Sequence, residues 1–153
     1  MRNTICSIIV HMKKYNRAIF ILSIIGIVIA VYVLQSFLRQ TSIVCLNSGC
    51  EVVRKSSYSY IFGIPVPTFG LVGYSLLLIL SILKTMSSKK WIVTGMLGIA
   101  SCGVLFVSWF TYTELFIIKA ICTWCAVSAI NMVVLWILTC KTYFTKGLYA
   151  HNE

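Results

Sequence analysis

Residues 120–140 read AICTWCAVSAINMVVLWILTC and contain no charged side chain. A hydrocarbon core about 30 Å thick needs about 20 such residues in a helix rising 1.5 Å each. The stretch therefore reads as a membrane span, and near its start it carries Cys122 and Cys125 in a Cys-x-x-Cys. Three more charge-free stretches of similar length lie at 18–38, 61–83 and 91–113, each bounded by a charge or a loop. With 59% hydrophobic residues and only three acidic ones in 153, the chain is too apolar for an ordinary soluble domain. The expected fold is all-α: a single membrane domain over 1–153, built as a four-helix transmembrane bundle.

The first span follows Lys13, Lys14 and Arg17, as a signal peptide would. Its apolar core is longer than a signal peptide's, and QSFLR at its end lacks a small-x-small cleavage site, so it reads as a retained anchor. In 61–83, Pro65 and Pro67 do not fit a helix interior. The span proper is expected from Pro67, over 67–83, since proline suits a first helical turn. The expected external loop, about 39–66, includes RQTSIVCLNSGCEVVRKSSYSY and a short helix. A shorter connection, around 114–119, is expected between spans three and four.

A net charge of +10 suggests nucleic acid in a soluble protein, but its distribution here is a topology signal. Four spans put both termini and the turn at 84–90 on one side, with Arg2, Lys13, Lys14, Arg17, Lys84, Lys89, Lys90, Lys141 and Lys146. The other side has Arg39, Arg54, Lys55 and Lys119. The positive-inside rule then places both termini in the cytoplasm of a cell (inner or plasma) membrane. No nucleic-acid partner is expected.

This topology sorts the seven cysteines. Cys45 and Cys50 fall in the external loop and Cys122 and Cys125 at the external end of span four, while Cys6, Cys102 and Cys140 lie mid-membrane or inside. Four thus face an oxidising compartment. A cysteine at a helix start feels unpaired N–H groups and the positive dipole end, which favour thiolate. The x-x spacing puts both sulfurs on one face, in reach of a reversible disulfide. Four thiolates also suit zinc, but an oxidising side, a membrane-embedded pair and histidines (His11, His151) confined to the inner side argue against it. No metal is expected.

The loop cysteines, Ser56 six residues after Cys50, YSYIFGIPVPTFGLVGY at 58–74 and ELFIIKAICTWC at 114–125 together resemble the vitamin K epoxide reductase family in its prokaryotic branch. The resemblance implies a four-helix bundle around a quinone (menaquinone, ubiquinone or a vitamin K-like ring), with Cys122–Cys125 as the active-site disulfide. It further implies that Cys45 exchanges with a thioredoxin-fold partner, that Cys50 bridges transiently to Cys122, and that Cys125 faces the quinone. Ser56 matches a serine lining the site, and by spacing alone it is equally a cap or turn residue. Many bacterial members carry a fused thioredoxin-like domain and this chain has none, so the partner is expected to act in trans. Animal members hold the vitamin K ring with an Asn and a Tyr, and the matching positions here are Val66 and Ala129. That departure favours plain quinone reduction over epoxide reduction.

The implied function is a membrane thiol:quinone oxidoreductase that re-oxidises a DsbA-like protein outside the cytoplasm, supporting disulfide formation. A dithiol oxidase near ~−120 mV needs a stronger oxidant, and a lipid-soluble quinone is one that a membrane protein reaches. Alternatives are a vitamin K epoxide or quinone reductase and a small transporter or structural bundle with a static disulfide. Phe69, Trp109, Phe110, Tyr112, Phe116 and Trp124 form an interfacial belt or a quinone wall, Phe69 and Trp124 being the best wall candidates. Glu114 is either a boundary residue or a proton relay.

Overall fold

Apolar residues occupy most positions of the charge-free stretches, and each stretch folds chiefly as a helix that closes its own backbone hydrogen bonds, as a bilayer demands. The computed structural model describes residues 2–39, 45, 49–87 and 89–150, with side chains described only between 14 and 145. The helices are α1 (Arg2–Arg39), α2 (Gly49–Lys55), α3 (Val66–Met86), α4 (Lys90–Tyr112) and α5 (Thr123–Ala150). Four spans run along α1, α3, α4 with the turn that continues it, and α5: Lys14–Arg39, Val66–Met86, Lys90–Ile118 and Thr123–Thr145. The rest of the loop between the first two spans, residues 40–44 and 46–48, lies outside the described residues, as do the side chains of Cys6, His11, Lys13, Lys146 and His151.

The bundle is a closed ring in which α1 packs on α3, α3 on α4, α4 on α5 and α5 on α1. Only 22–33% of each span's most apolar window is buried within the protein, so most of its apolar surface faces outward to lipid. Inside, two clusters are stacked along the bundle. One holds Ile19, Tyr74, Leu77, Met96, Met132 and Leu135, and the other Val33, Phe37, Cys50, Val66, Phe110 and Cys122. Polar side chains bridge the helices. Asn131 Nδ2 donates to the Leu22 carbonyl at 3.1 Å, and Asn16 Nδ2 donates to Thr85 Oγ1 at 2.8 Å. Such bonds contribute on average about 0.6 kcal/mol each in a membrane, so they set register more than stability.

Between α2 and α3 the chain makes a short antiparallel pair, β1 (Tyr60–Ile61) with β2 (Ile64–Pro65). Its turn residues Phe62 (φ 53°) and Gly63 (φ 80°) both adopt the left-handed conformation, as a primed hairpin turn requires. Phe62 has its ring fully exposed. Pro65 then stands at the N-cap of α3 and Pro67 in its first turn, where a missing N–H costs nothing.

The connection expected at 114–119 is different. The third span runs on from α4 through a π-helical turn, Thr113–Ile118, and Lys119 closes it in the left-handed conformation (φ 55°). The N–H groups of Lys119 and Ala120 both donate to the Glu114 carbonyl, which reverses the chain. Helix α5 accordingly begins at Thr123 rather than at 120. Two N–H groups meeting one carbonyl thus turn the chain where a short connection over 114–119 was expected.

Candidate active site

Cys122 occupies the N-cap of α5: its carbonyl accepts the Ala126 N–H at 3.0 Å. A cap side chain accepts from the second and third helical N–H groups, and the Cys122 sulfur receives the backbone N–H of Trp124 and of Cys125. The Cys125 thiol also donates toward it. This thiol contact, opposed by burial and aided by the two N–H groups, pulls the Cys122 thiol down to about 7. The expected helix-start activation of Cys122 therefore works through a cap, one position ahead of the helix. Alkylation of reduced Cys122, read by peptide mass spectrometry, should rise through about pH 7, because only the thiolate above that value reacts. A midpoint in the ordinary range, about 8.5, would contradict it.

Glu114, thrown back by the π turn, meets the pair. Its carboxylate and the sulfurs of Cys122 and Cys125 lie within 4.8 Å of one another, and the Glu114 residue is 3% exposed. It takes hydrogen bonds from the Cys125 thiol and the Cys122 backbone N–H, yet its Oε1 has no partner among the described residues. A buried polar atom left unsatisfied costs about 1–3 kcal/mol. The reading of Glu114 as a boundary residue fails on this burial.

The external loop also approaches the pair. Cys45 and Cys50 form a disulfide, so these two are not available as thiolates alongside Cys122 and Cys125. Cys50 is 1% exposed and Cys122 2%, and both belong to one buried cluster. The contact is made by backbone: a Cβ on Gly49 would overlap the carbonyl oxygen of Ile121. Each of these residues immediately precedes a cysteine, so the glycine lets the two cysteine-bearing chains touch. Cys102 and Cys140 are free thiols away from this cluster.

A cavity of about 730 Å³ opens beside the pair. Cys50, Cys122 and Cys125 line it, as do Val66, Phe69, Trp124 and Ala129, four of the five residues the sequence nominated for the quinone. Ser56, the fifth, is not among the lining residues; its Oγ accepts the Tyr58 N–H at 3.3 Å and caps the 3₁₀ turn Ser57–Ser59. The walls are mostly rings and aliphatic chains, with Phe69 and Phe106 centroids 5.7 Å apart, and the Trp124 ring is backed by Tyr32 at 5.0 Å. A volume between about 300 and 1,000 Å³, mostly apolar with few polar groups, suits a planar ring with an apolar tail.

Two polar features of this wall escaped the sequence reading. Tyr74 donates to the Ser128 carbonyl at 2.8 Å and lies 3.0 Å from Ser128 Oγ. Arg54, counted only as a loop charge, is 5% exposed, ion-paired to Glu51 at 2.8 Å and part of the lining. The i,i+3 spacing of Glu51 and Arg54 was the available signal; Tyr74 carried none.

A four-span bundle with a thiol pair in the wall of an apolar cavity defines a membrane protein equipped for redox chemistry on an apolar substrate. The vitamin K epoxide reductase family matches residues 17–140, and the chain belongs to that family. Its members are membrane oxidoreductases associated with thiols and with quinone or vitamin K substrates. No curated protein matches the chain significantly.

Proposed function

We propose that this protein is a thiol:quinone oxidoreductase that re-oxidises a DsbA-like, thioredoxin-fold protein outside the cytoplasm and passes the electrons to a membrane quinone. The observation that carries the reading is the shared burial of Cys50 and Cys122 beside a cavity that Cys125 also lines. The excess of basic residues at the other end of the bundle supports cytoplasmic termini in the plasma or inner membrane and an extracytoplasmic site.

The electron route is a series of thiol–disulfide exchanges. A partner thiolate attacks Cys45, and Cys50 leaves as thiolate. Cys50 attacks Cys122 of an oxidised Cys122–Cys125 pair, and Cys125 leaves. The partner's second thiol closes its own disulfide and frees Cys45. Cys45 then attacks Cys50, restoring the loop disulfide and releasing Cys122. The product has Cys45–Cys50 joined and Cys122 and Cys125 free, which is the arrangement in the structure. When bound, a quinone supplies a two-electron sink. Phe69, Phe106 and Trp124 hold the ring in an apolar wall that excludes water, and Cys125 stands at that wall. Val66 and Ala129 offer no side-chain hydrogen bond to an epoxide oxygen, which favours quinone over epoxide as acceptor.

The test is disulfide mapping by mass spectrometry of the reduced full chain before and after anaerobic addition of excess quinone. A new Cys122–Cys125 bond and an equivalent of hydroquinone are expected. Thiols indifferent to quinone would refute the reading and leave a static bundle.

A further inference from the structure

Oxidising two thiols releases two protons as well as two electrons, and the exchanges above give those protons no carrier. The described residues of the site offer one buried carboxylate, Glu114, whose reach covers both sulfurs. Its position is built: the π turn, the left-handed Lys119 and two N–H bonds to the Glu114 carbonyl fold the chain so that residue 114 sits under residue 122. Its Oε1 is buried without a partner among the described residues, an arrangement with a cost that a packing residue would not need. Cys122 and Cys125 line the cavity and Glu114 does not, so the carboxylate meets the sulfurs without forming part of the apolar wall.

We propose that Glu114 is a catalytic proton acceptor for the Cys122–Cys125 pair. This rests on the thiol:quinone reading. As the Cys122–Cys125 S–S bond forms, the Cys125 S–H bond is lost and two electrons pass to the quinone. The Glu114 carboxylate takes the Cys125 proton and holds it until hydroquinone formation consumes it. Cys122, thiolate at its cap near neutral pH, has already released the other to solvent, and hydroquinone draws its second proton from there.

The titratable groups facing Glu114 are Cys122 and Cys125. On α2, packed against the same turn, Glu51, Arg54 and Lys55 pair with one another. On α4 the titratable groups are Lys90, Cys102 and Tyr112, all exposed. The one other carboxylate among these, Glu51, is engaged by Arg54 and Lys55.

The test follows single-turnover quinone reduction by the dithiothreitol-reduced full chain in lipid nanodiscs, from mildly acidic to mildly alkaline pH. Glu114→Gln keeps size and a hydrogen-bond acceptor but loses the base, and should slow the step about a hundredfold at neutral pH. That deficit should shrink as pH rises, because hydroxide then removes the thiol proton; a packing defect would not shrink. Glu114→Asp should recover to within about tenfold of native, with a shifted pH profile. Glu114→Gln as fast as native, a pH-independent deficit, or no recovery in Glu114→Asp would overturn the proposal. If Glu114→Gln fails to fold, native and Glu114→Asp decide, and identical pH profiles overturn it. A native chain that reduces no quinone overturns the underlying reading instead.

Discussion

Replacing Cys125 with serine is expected to abolish quinone reduction from every donor, protein or small dithiol. Cys125 lines the cavity and contacts both Cys122 and Glu114, so each half of the proposed chemistry passes through its sulfur. A serine hydroxyl keeps the volume and a hydrogen bond but forms no S–S bond. Losing a nucleophile of this kind costs on the order of a thousandfold or more. Cys122→Ser should match it, since a disulfide needs both sulfurs. Following hydroquinone formation anaerobically with dithiothreitol as donor is sufficient. Substantial turnover by either variant would end the two-cysteine mechanism.

The second large effect is selective. Cys50→Ser is expected to stop oxidation of a protein dithiol while leaving dithiothreitol able to reduce Cys122–Cys125 and drive quinone reduction. The reason is geometric: Cys50 is the loop sulfur buried with Cys122, and the Gly49–Ile121 backbone contact brings them there. Gly49→Ala provides the same test without touching a sulfur. Its methyl group overlaps the Ile121 carbonyl and must push α2 off the start of α5. A displacement of about 1 Å between reacting groups costs about a hundredfold, so relay should fall by that factor with dithiothreitol turnover unchanged. Normal partner oxidation by Cys50→Ser would show that electrons bypass the loop.

Much of this was legible in the residues. The four spans follow from charge-free length, and the short helix between the first two was expected from the loop. Pro67 marked the start of α3 because proline removes a donor that the first turn does not use. Both cysteine pairs could be named because thiol chemistry belongs to the residue type, and Val66, Phe69, Trp124 and Ala129 do share one wall. Ser56 went elsewhere because its hydroxyl found a local N–H two residues on, a bond that spacing predicts as readily as a site. The connection at 114–119 was misjudged because a π turn has no distinct composition.

Sequence alone determined that this chain crosses a membrane four times, and that two pairs of cysteines belong to one end of the bundle. Hydrophobic length and charge are properties of consecutive residues, so they can be read in one dimension. Only the tertiary structure decided that Glu114 is buried against Cys122 and Cys125 rather than at a boundary, and that Gly49 rests on Ile121. Those contacts join residues far apart in the chain or across a reversal made by one left-handed lysine, and close packing rather than pattern brings them together.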